Sequence, residues 1–206
     1  MSVDAVTTFL ALLALAAAAV TAVSLVAWLV TLGGRPGPAW ASAWRSAVSE
    51  VALPGAWAVA TTCTLGSLYL SEVAHFPPCE LCWYQRIAMY PLAVILGVAA
   101  LRRDTSVRWY VVPVAGIGLA ISVYHYLLER FPDSVASACT TDVPCTTVWV
   151  WKFHFLSIPG MAGIGFAAII ALVLQALPRG TGSGPRDDQS TRSAPSDPAP
   201  SEAATT

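Results

Sequence analysis

The sequence reads as an all-α, polytopic membrane protein, and three observations carry that reading. Charged residues make up only 11% of the chain, against about 25% in a soluble domain. Hydrophobic residues make up 56%, and the mean hydropathy is +0.63. Apolar stretches long enough to cross a hydrocarbon core of about 30 Å recur five times. The net charge of -1 supplies no basic surface for nucleic acid. Five cysteines are too few for a disulfide scaffold, so their grouping matters more than their number.

The first stretch, Ala5 to Gly34, holds no charge. It is too long for a secretory signal peptide, and Met1 to Asp4 lacks the positive charge such a leader carries. Arg35 to Glu50, with Gly, Pro, two Trp and two Arg, reads as a linker with room for a short interfacial helix. Val51 to Ser71 is the second span, and Glu72 to Pro78 a short loop. The third span starts near Cys79 or Leu81 and runs to Leu101. A basic turn from Arg102 to Arg108 leads to the fourth span, Trp109 to Leu128. Glu129 to His154 is the longest loop, and Phe155 to Pro178 is the fifth span. From Arg179 the chain is Gly, Ser, Pro, Thr and Asp, a composition that predicts disorder. The expected division is therefore 1–50 for the first helix and linker, 51–178 for the remaining four spans, and 179–206 for the tail.

Orientation follows from the positive-inside rule. Arg35, Arg45, Arg102, Arg103, Arg108, Arg179, Arg186 and Arg192 fall on one side, and Arg86, Arg130 and Lys152 on the other. The basic turn and the tail are expected in the cytoplasm, with the N-terminus and both cysteine-bearing loops outside. In bacteria that outer side is oxidising, and disulfides persist there.

The chemistry concentrates in Cys79-Glu-Leu-Cys82-Trp-Tyr-Gln-Arg86. A C-x-x-C pair cycles between dithiol and disulfide, and a helix N-terminus stabilises its thiolate. Pro77-Pro78 favours a helix start immediately after it. Were Cys79 itself helical, Cys79, Cys82 and Arg86 would share one face. Arg86 is a charge inside the end of a span, a placement that costs about 2.5 kcal/mol or more at the bilayer centre. A fixed cation there would stabilise a thiolate and polarise the carbonyl of an electron acceptor; snorkelling to the headgroups is the other use. Cys139 and Cys145 form a second pair on the same side. A structural clip, worth about 2–3 kcal/mol, and a redox relay are both open. So is a four-cysteine zinc site, although C-x5-C is wider than the usual knuckle; no metal is assigned. Cys63 has no partner and is expected to pack inside the second span. His125, between Tyr124 and Tyr126, suits either the interfacial belt or hydrogen bonding to a ligand near Arg86.

These motifs resemble the bacterial disulfide bond formation protein B family (DsbB), above all its Gram-positive BdbC-type members. The matching stretches are Leu65-Gly-Ser-Leu-Tyr-Leu-Ser-Glu72, Pro78-Cys-Glu-Leu-Cys-Trp-Tyr-Gln-Arg86, Tyr124-His-Tyr-Leu-Leu128 and Val143-Pro-Cys-Thr146, spread over about Val51 to Leu177. The resemblance implies a membrane four-helix bundle, here preceded by one extra N-terminal transmembrane helix. It implies a multi-pass protein of the bacterial plasma membrane that reoxidises a thioredoxin-like extracytoplasmic partner (DsbA/BdbD-type) and passes electrons to a quinone, ubiquinone or menaquinone. Matched to the motif, Cys82 would face the quinone as thiolate and Arg86 would lie beside it. Cys139 would form the mixed disulfide with the partner, and Cys79 and Cys145 would complete the exchange. His125 would lie near the quinone.

The chain departs from the family in its first helix and linker, and in a second loop shorter than the Gram-negative one. The expected activity is that of a protein-disulfide:quinone oxidoreductase. The rivals are an outward electron carrier or vitamin K epoxide reductase-like enzyme, and a non-enzymatic membrane scaffold with structural disulfides.

Overall fold

In the computed structural model, which describes residues 2–31, 37–132, 139 and 143–176, five helices are long and apolar enough to cross a membrane. They are α1 (Val3–Leu29), α2 (Ala39–Leu68), α3 (Glu80–Arg102), α4 (Arg108–Arg130) and α5 (Ile158–Gln175). The tail expected to be disordered, 179–206, lies outside the described residues, as does Arg35.

Four helices form the bundle. α2 packs on α3 and α5, and α4 packs on α3 and α5, so the ring runs α3–α4–α5–α2. Its centre holds Leu92 and Leu96 of α3, Val111 of α4, and Phe166 and Ile169 of α5, all fully buried. Lipid tails are as apolar as these side chains, so close packing rather than solvent exclusion holds such a bundle together. Small residues permit it: a Cβ added at Gly118 would overlap the Phe166 ring. The outward faces carry exposed Val, Leu and Ile along their length. Exposed aromatics mark both ends, Trp83, Tyr84 and Trp149 at one and Trp109, Tyr110 and Trp40 at the other, where amphipathic rings favour the interface.

α1 stands outside the ring, against α5 and α2. Ser2 caps it, its side chain accepting from the Ala5 amide. Lys152 forms an ion pair with Asp4, which puts the start of α1 at the same end as the loop that follows α4. At the other end Trp44 Nε1 donates to Ser24 Oγ (3.2 Å) and Arg45 Nη1 to Thr31 Oγ1 (3.0 Å).

Two expectations change. The linker expected over 35–50 is helical from Ala39 onward. Its run of Ala, Trp, Ser and Arg contains no breaker after Pro38, and it continues α2 past the hydrocarbon core. α2 then closes in a π-helical turn, Tyr69–Val73, with the Ala74 amide on the Tyr69 carbonyl at 3.0 Å. The loop after α4 is not wholly irregular either. β1 (Trp151–Lys152) and β2 (Leu156–Ser157) pair antiparallel, Lys152 opposite Leu156. Phe153 and His154 in the turn both have positive φ, 53° and 66°, a region costly for residues with a side chain.

Candidate active site

α3 begins on a cysteine. Cys79 is its N-cap, extended at φ -73° and ψ 174°, so the pair does not share a helical face with Arg86 from its first residue. Instead the Cys79 sulfur folds back over the first turn and accepts from the Cys82 amide at 3.4 Å. The first amides of a helix lack intrahelical partners and attract negative charge, and a thiolate fills that role. Cys79 and Cys82 are unbonded thiols with sulfurs 2.8 Å apart. The Cys79 thiol, one residue ahead of the membrane span, is held well below the usual thiol range. The hydrogen bond from Cys82 is the first cause and His125 the next, against an opposing effect of burial.

The second pair lies against the first. Cys139 and Cys145 are joined as a disulfide, which rules out the four-cysteine zinc arrangement in this state because both sulfurs are taken. Cys79, Leu81, Leu128 and Cys145 form one buried apolar cluster, with Cys82 and Cys139 on its flank. Cys145 is almost fully buried, while Cys139 is only partly so. His125, 2% exposed, bridges the pairs. Its Nε2 lies 3.7 Å from Cys79 Sγ and 3.2 Å from the Cys145 carbonyl oxygen. The structure thus places His125 between the two pairs rather than on the cavity wall near Arg86. The thiols of Cys79 and Cys82 and a ring nitrogen of His125 lie within 4.8 Å of one another, a donor set that suits zinc.

A cavity of about 410 Å³ adjoins Cys82 and Arg86. Arg86 is fixed from α2: Nε donates to Ser67 Oγ at 3.0 Å and Nη2 to the Ser67 carbonyl at 3.1 Å. Tyr90 donates to the same hydroxyl at 3.4 Å, and the guanidinium lies 5.2 Å from the centre of the Trp83 ring. Among the described residues Arg86 has no carboxylate partner. A cation held by neutral groups at the edge of an apolar space keeps its field for whatever enters that space. Gln85 and Ser122, both buried, tie α3 to α4 at 3.1 Å. Cys63 lines the cavity and crowds Gly165, where a Cβ would meet its sulfur at 2.7 Å.

The fold brings Cys79, Cys82, Cys139, Cys145 and His125 to one cluster and Arg86 to the adjoining cavity, whereas the sequence reading had His125 beside the ligand near Arg86. That reading gave no role to Ser67, although Ser67 stands in a motif that carries the resemblance. Two donors converging on one hydroxyl are a tertiary fact with no local signature.

Comparison with known proteins places the chain in a family. The pattern of the family described as disulfide bond formation protein DsbB matches residues 49–176. The chain is 50% identical over 121 residues to disulfide bond formation protein C of Bacillus subtilis (strain 168), covering 58% of this chain and 88% of the relative. It is 48% identical over 118 residues to probable disulfide formation protein C 2 of Bacillus anthracis, covering 57% and 84%. It is 48% identical over 128 residues to a probable disulfide formation protein of Deinococcus radiodurans, covering 57% and 83%. No solved structure matches the chain. With five membrane-length helices and two juxtaposed cysteine pairs, the chain belongs to the DsbB family of disulfide bond formation proteins.

Proposed function

We propose that the chain is a membrane thiol:quinone oxidoreductase that reoxidises a thioredoxin-like extracytoplasmic protein of DsbA/BdbD type. The observation that carries this reading is the adjacency of a closed disulfide, an open dithiol and a cation-edged apolar cavity. The cysteine loops face the outside of the plasma membrane and the basic turn faces the cytoplasm. The unit at 51–178 carries the reaction, 1–50 adds a helix, and 179–206 is a cytoplasmic tail.

The partner's thiolate attacks Cys139, the more accessible sulfur of the second pair. The Cys139–Cys145 bond breaks and Cys145 takes the electron pair. The partner's second thiol displaces Cys139, so the partner leaves oxidised and two electrons rest on Cys139 and Cys145. These thiols then reduce a Cys79–Cys82 disulfide by the same exchange. His125, in contact with Cys79 and with the Cys145 backbone, positions the two pairs for that step. Charge settles on Cys79, which caps the helix.

The cavity suits a quinone. Ligand sites of about 300–1,000 Å³ are mainly apolar with a few placed polar groups, and this one has Arg86 and Cys82 beside a mainly apolar surround of aliphatic and aromatic side chains. Arg86 and Ser67 would hold the headgroup, and Cys82 is the sulfur on that wall. When bound, the quinone accepts the two electrons and two protons of the dithiol.

The test is turnover of purified protein with a reduced thioredoxin-like partner and a quinone, read from quinone absorbance. Steady reduction that disappears in Cys82→Ser is expected. Wild-type turnover in that variant would remove Cys82 from the reaction, and exchange with no quinone dependence would overturn the reading.

A further inference from the structure

We infer that α1 is a wall of the electron-acceptor site and sets how tightly the acceptor binds. This rests on the quinone reading above. The family match begins at residue 49, so α1 lies outside it. Yet Leu10, Ala14, Ala17 and Val20 of α1 line the same cavity as Cys82 and Arg86.

α1 forms one wall of the cavity, beside α2, α3 and α5. Opposite Gly66 of α2, an added Cβ would meet Leu10 Cδ1 at 3.1 Å, so the two helices touch closely there. Over the next two turns α1 lines the cavity with Leu13 and with the small side chains of Ala14, Ala16 and Ala17, and the space stays open. Helix packing in lipid is driven by close contact, and a gap lined by small residues forfeits it. That loss is offset when an apolar ligand fills the space.

α1 is also held in place. Asp4 pairs with Lys152 at one end, and Ser24 and Thr31 accept from Trp44 and Arg45 at the other. Ser24 is buried although α1 is otherwise lipid-facing over much of its surface. A helix anchored at both ends behaves as a fixed wall. Ala14 and Ala17 thereby become specificity positions for the acceptor, in contact with its apolar part while Arg86 addresses its polar end.

The test uses the full chain in lipid nanodiscs, with a short-chain quinone as probe and equilibrium dialysis as readout, so that binding is measured without turnover. Ala17→Phe, Ala14→Phe and the milder Ala17→Leu project into the cavity. Ala19→Phe, on the exposed side of α1 and absent from the cavity wall, is the control. Dissociation constants about tenfold higher or more are expected for the two Phe variants, with a smaller rise for Ala17→Leu and none for Ala19→Phe. Thiol–disulfide exchange with the reduced partner, measured without quinone, is expected to stay at the wild-type rate in all four. Saturable wild-type binding that is unchanged in Ala17→Leu and both Phe variants overturns the role of α1 and leaves the quinone reading standing. Loss of exchange along with binding shows a folding effect and also counts against it. Absence of saturable binding in the wild type overturns the quinone reading, and the wall with it.

Discussion

The Nε2 atom of His125 lies 3.7 Å from the Cys79 sulfur, across the join between α4 and the N-terminus of α3. The contact is buried, and the sulfur also accepts from the Cys82 amide. A cysteine so placed keeps its negative charge to low pH. Its pKa is held well below the usual thiol range, with Cys82 the larger cause and His125 the lesser. An unfolded thiol titrates near about 8.5. The depressed value therefore adds stability to the reduced protein that is complete above that pH and is lost as pH falls towards the folded value. Thiolate absorbance of the reduced protein is expected to persist at pH 6. His125→Ala is expected to move the midpoint upward, and Cys82→Ala to move it further. A midpoint near 8.5 in the wild type would show that the cap does not hold a thiolate.

Arg86 reaches Ser67 through both Nε and Nη2. Lysine cannot reproduce that planar fork. Arg86→Ala is expected to raise the KM for quinone by roughly tenfold to a hundredfold, the range of a hydrogen bond to a charged group. The KM for the protein partner should change little, because the thiol chemistry lies on the other side of Cys82. Arg86→Lys should fall between the two, and Ser67→Ala should follow Arg86→Ala in direction with a smaller effect. An unchanged quinone KM in Arg86→Ala would place the cation outside the acceptor site.

The spans were legible because hydropathy is a local property, summed over about 20 residues. The start of α2 was not, because Trp40, Trp44 and Arg45 look interfacial while Ala39, Ala41 and Ala43 are strong helix formers. The helix exceeds the hydrocarbon core, so both signals are satisfied at once. The hairpin at Trp151–Ser157 is only two residues per strand, too short for an alternation pattern. The cap at Cys79 was hidden because cysteine is not among the usual capping residues. The packing of α1 was hidden for a different reason: a helix apolar on every face carries no stripe to say which side is buried. Residue types alone suggested that the two cysteine pairs cooperate, but only the fold shows that His125 joins them.

Gly118 and Gly116 lie half a turn apart on α4 and separate packing from propensity. A Cβ at Gly118 would overlap the Phe166 ring, whereas nothing lies within 4 Å of one at Gly116. Gly118→Ala should force α4 and α5 apart and destabilise by about 1–3 kcal/mol, the usual cost of overpacking. Gly116→Ala should be neutral or stabilising by up to about 1 kcal/mol, as expected for an unhindered helical glycine. Thermal unfolding in detergent reads both. Equal melting temperatures for the two variants would mean that the α4–α5 contact gives way without cost.

Cys139 and Cys145 differ in access, and that difference predicts which sulfur a partner meets. Cys145 is 1% exposed, and its carbonyl is held by His125. Cys139 is only partly buried. In-line attack on a disulfide needs an approach along the S–S axis, from the side of the sulfur being attacked. Cys145 belongs to the buried cluster of Leu81 and Leu128, whereas Cys139 lies on its flank and is the more exposed of the two. A thioredoxin-like partner lacking its resolving cysteine should therefore be trapped as a mixed disulfide on Cys139, leaving Cys145 as a free thiol. Mass spectrometry of the cross-linked peptide identifies the residue. Cys145→Ser, which leaves Cys139 without a disulfide to attack, should give no adduct with the single-cysteine partner, but its Cys139 thiol should form a mixed disulfide with a two-cysteine partner supplied as the disulfide. Adducts found on Cys145 in the wild type would reverse the two roles and would require the loop to open before the partner docks.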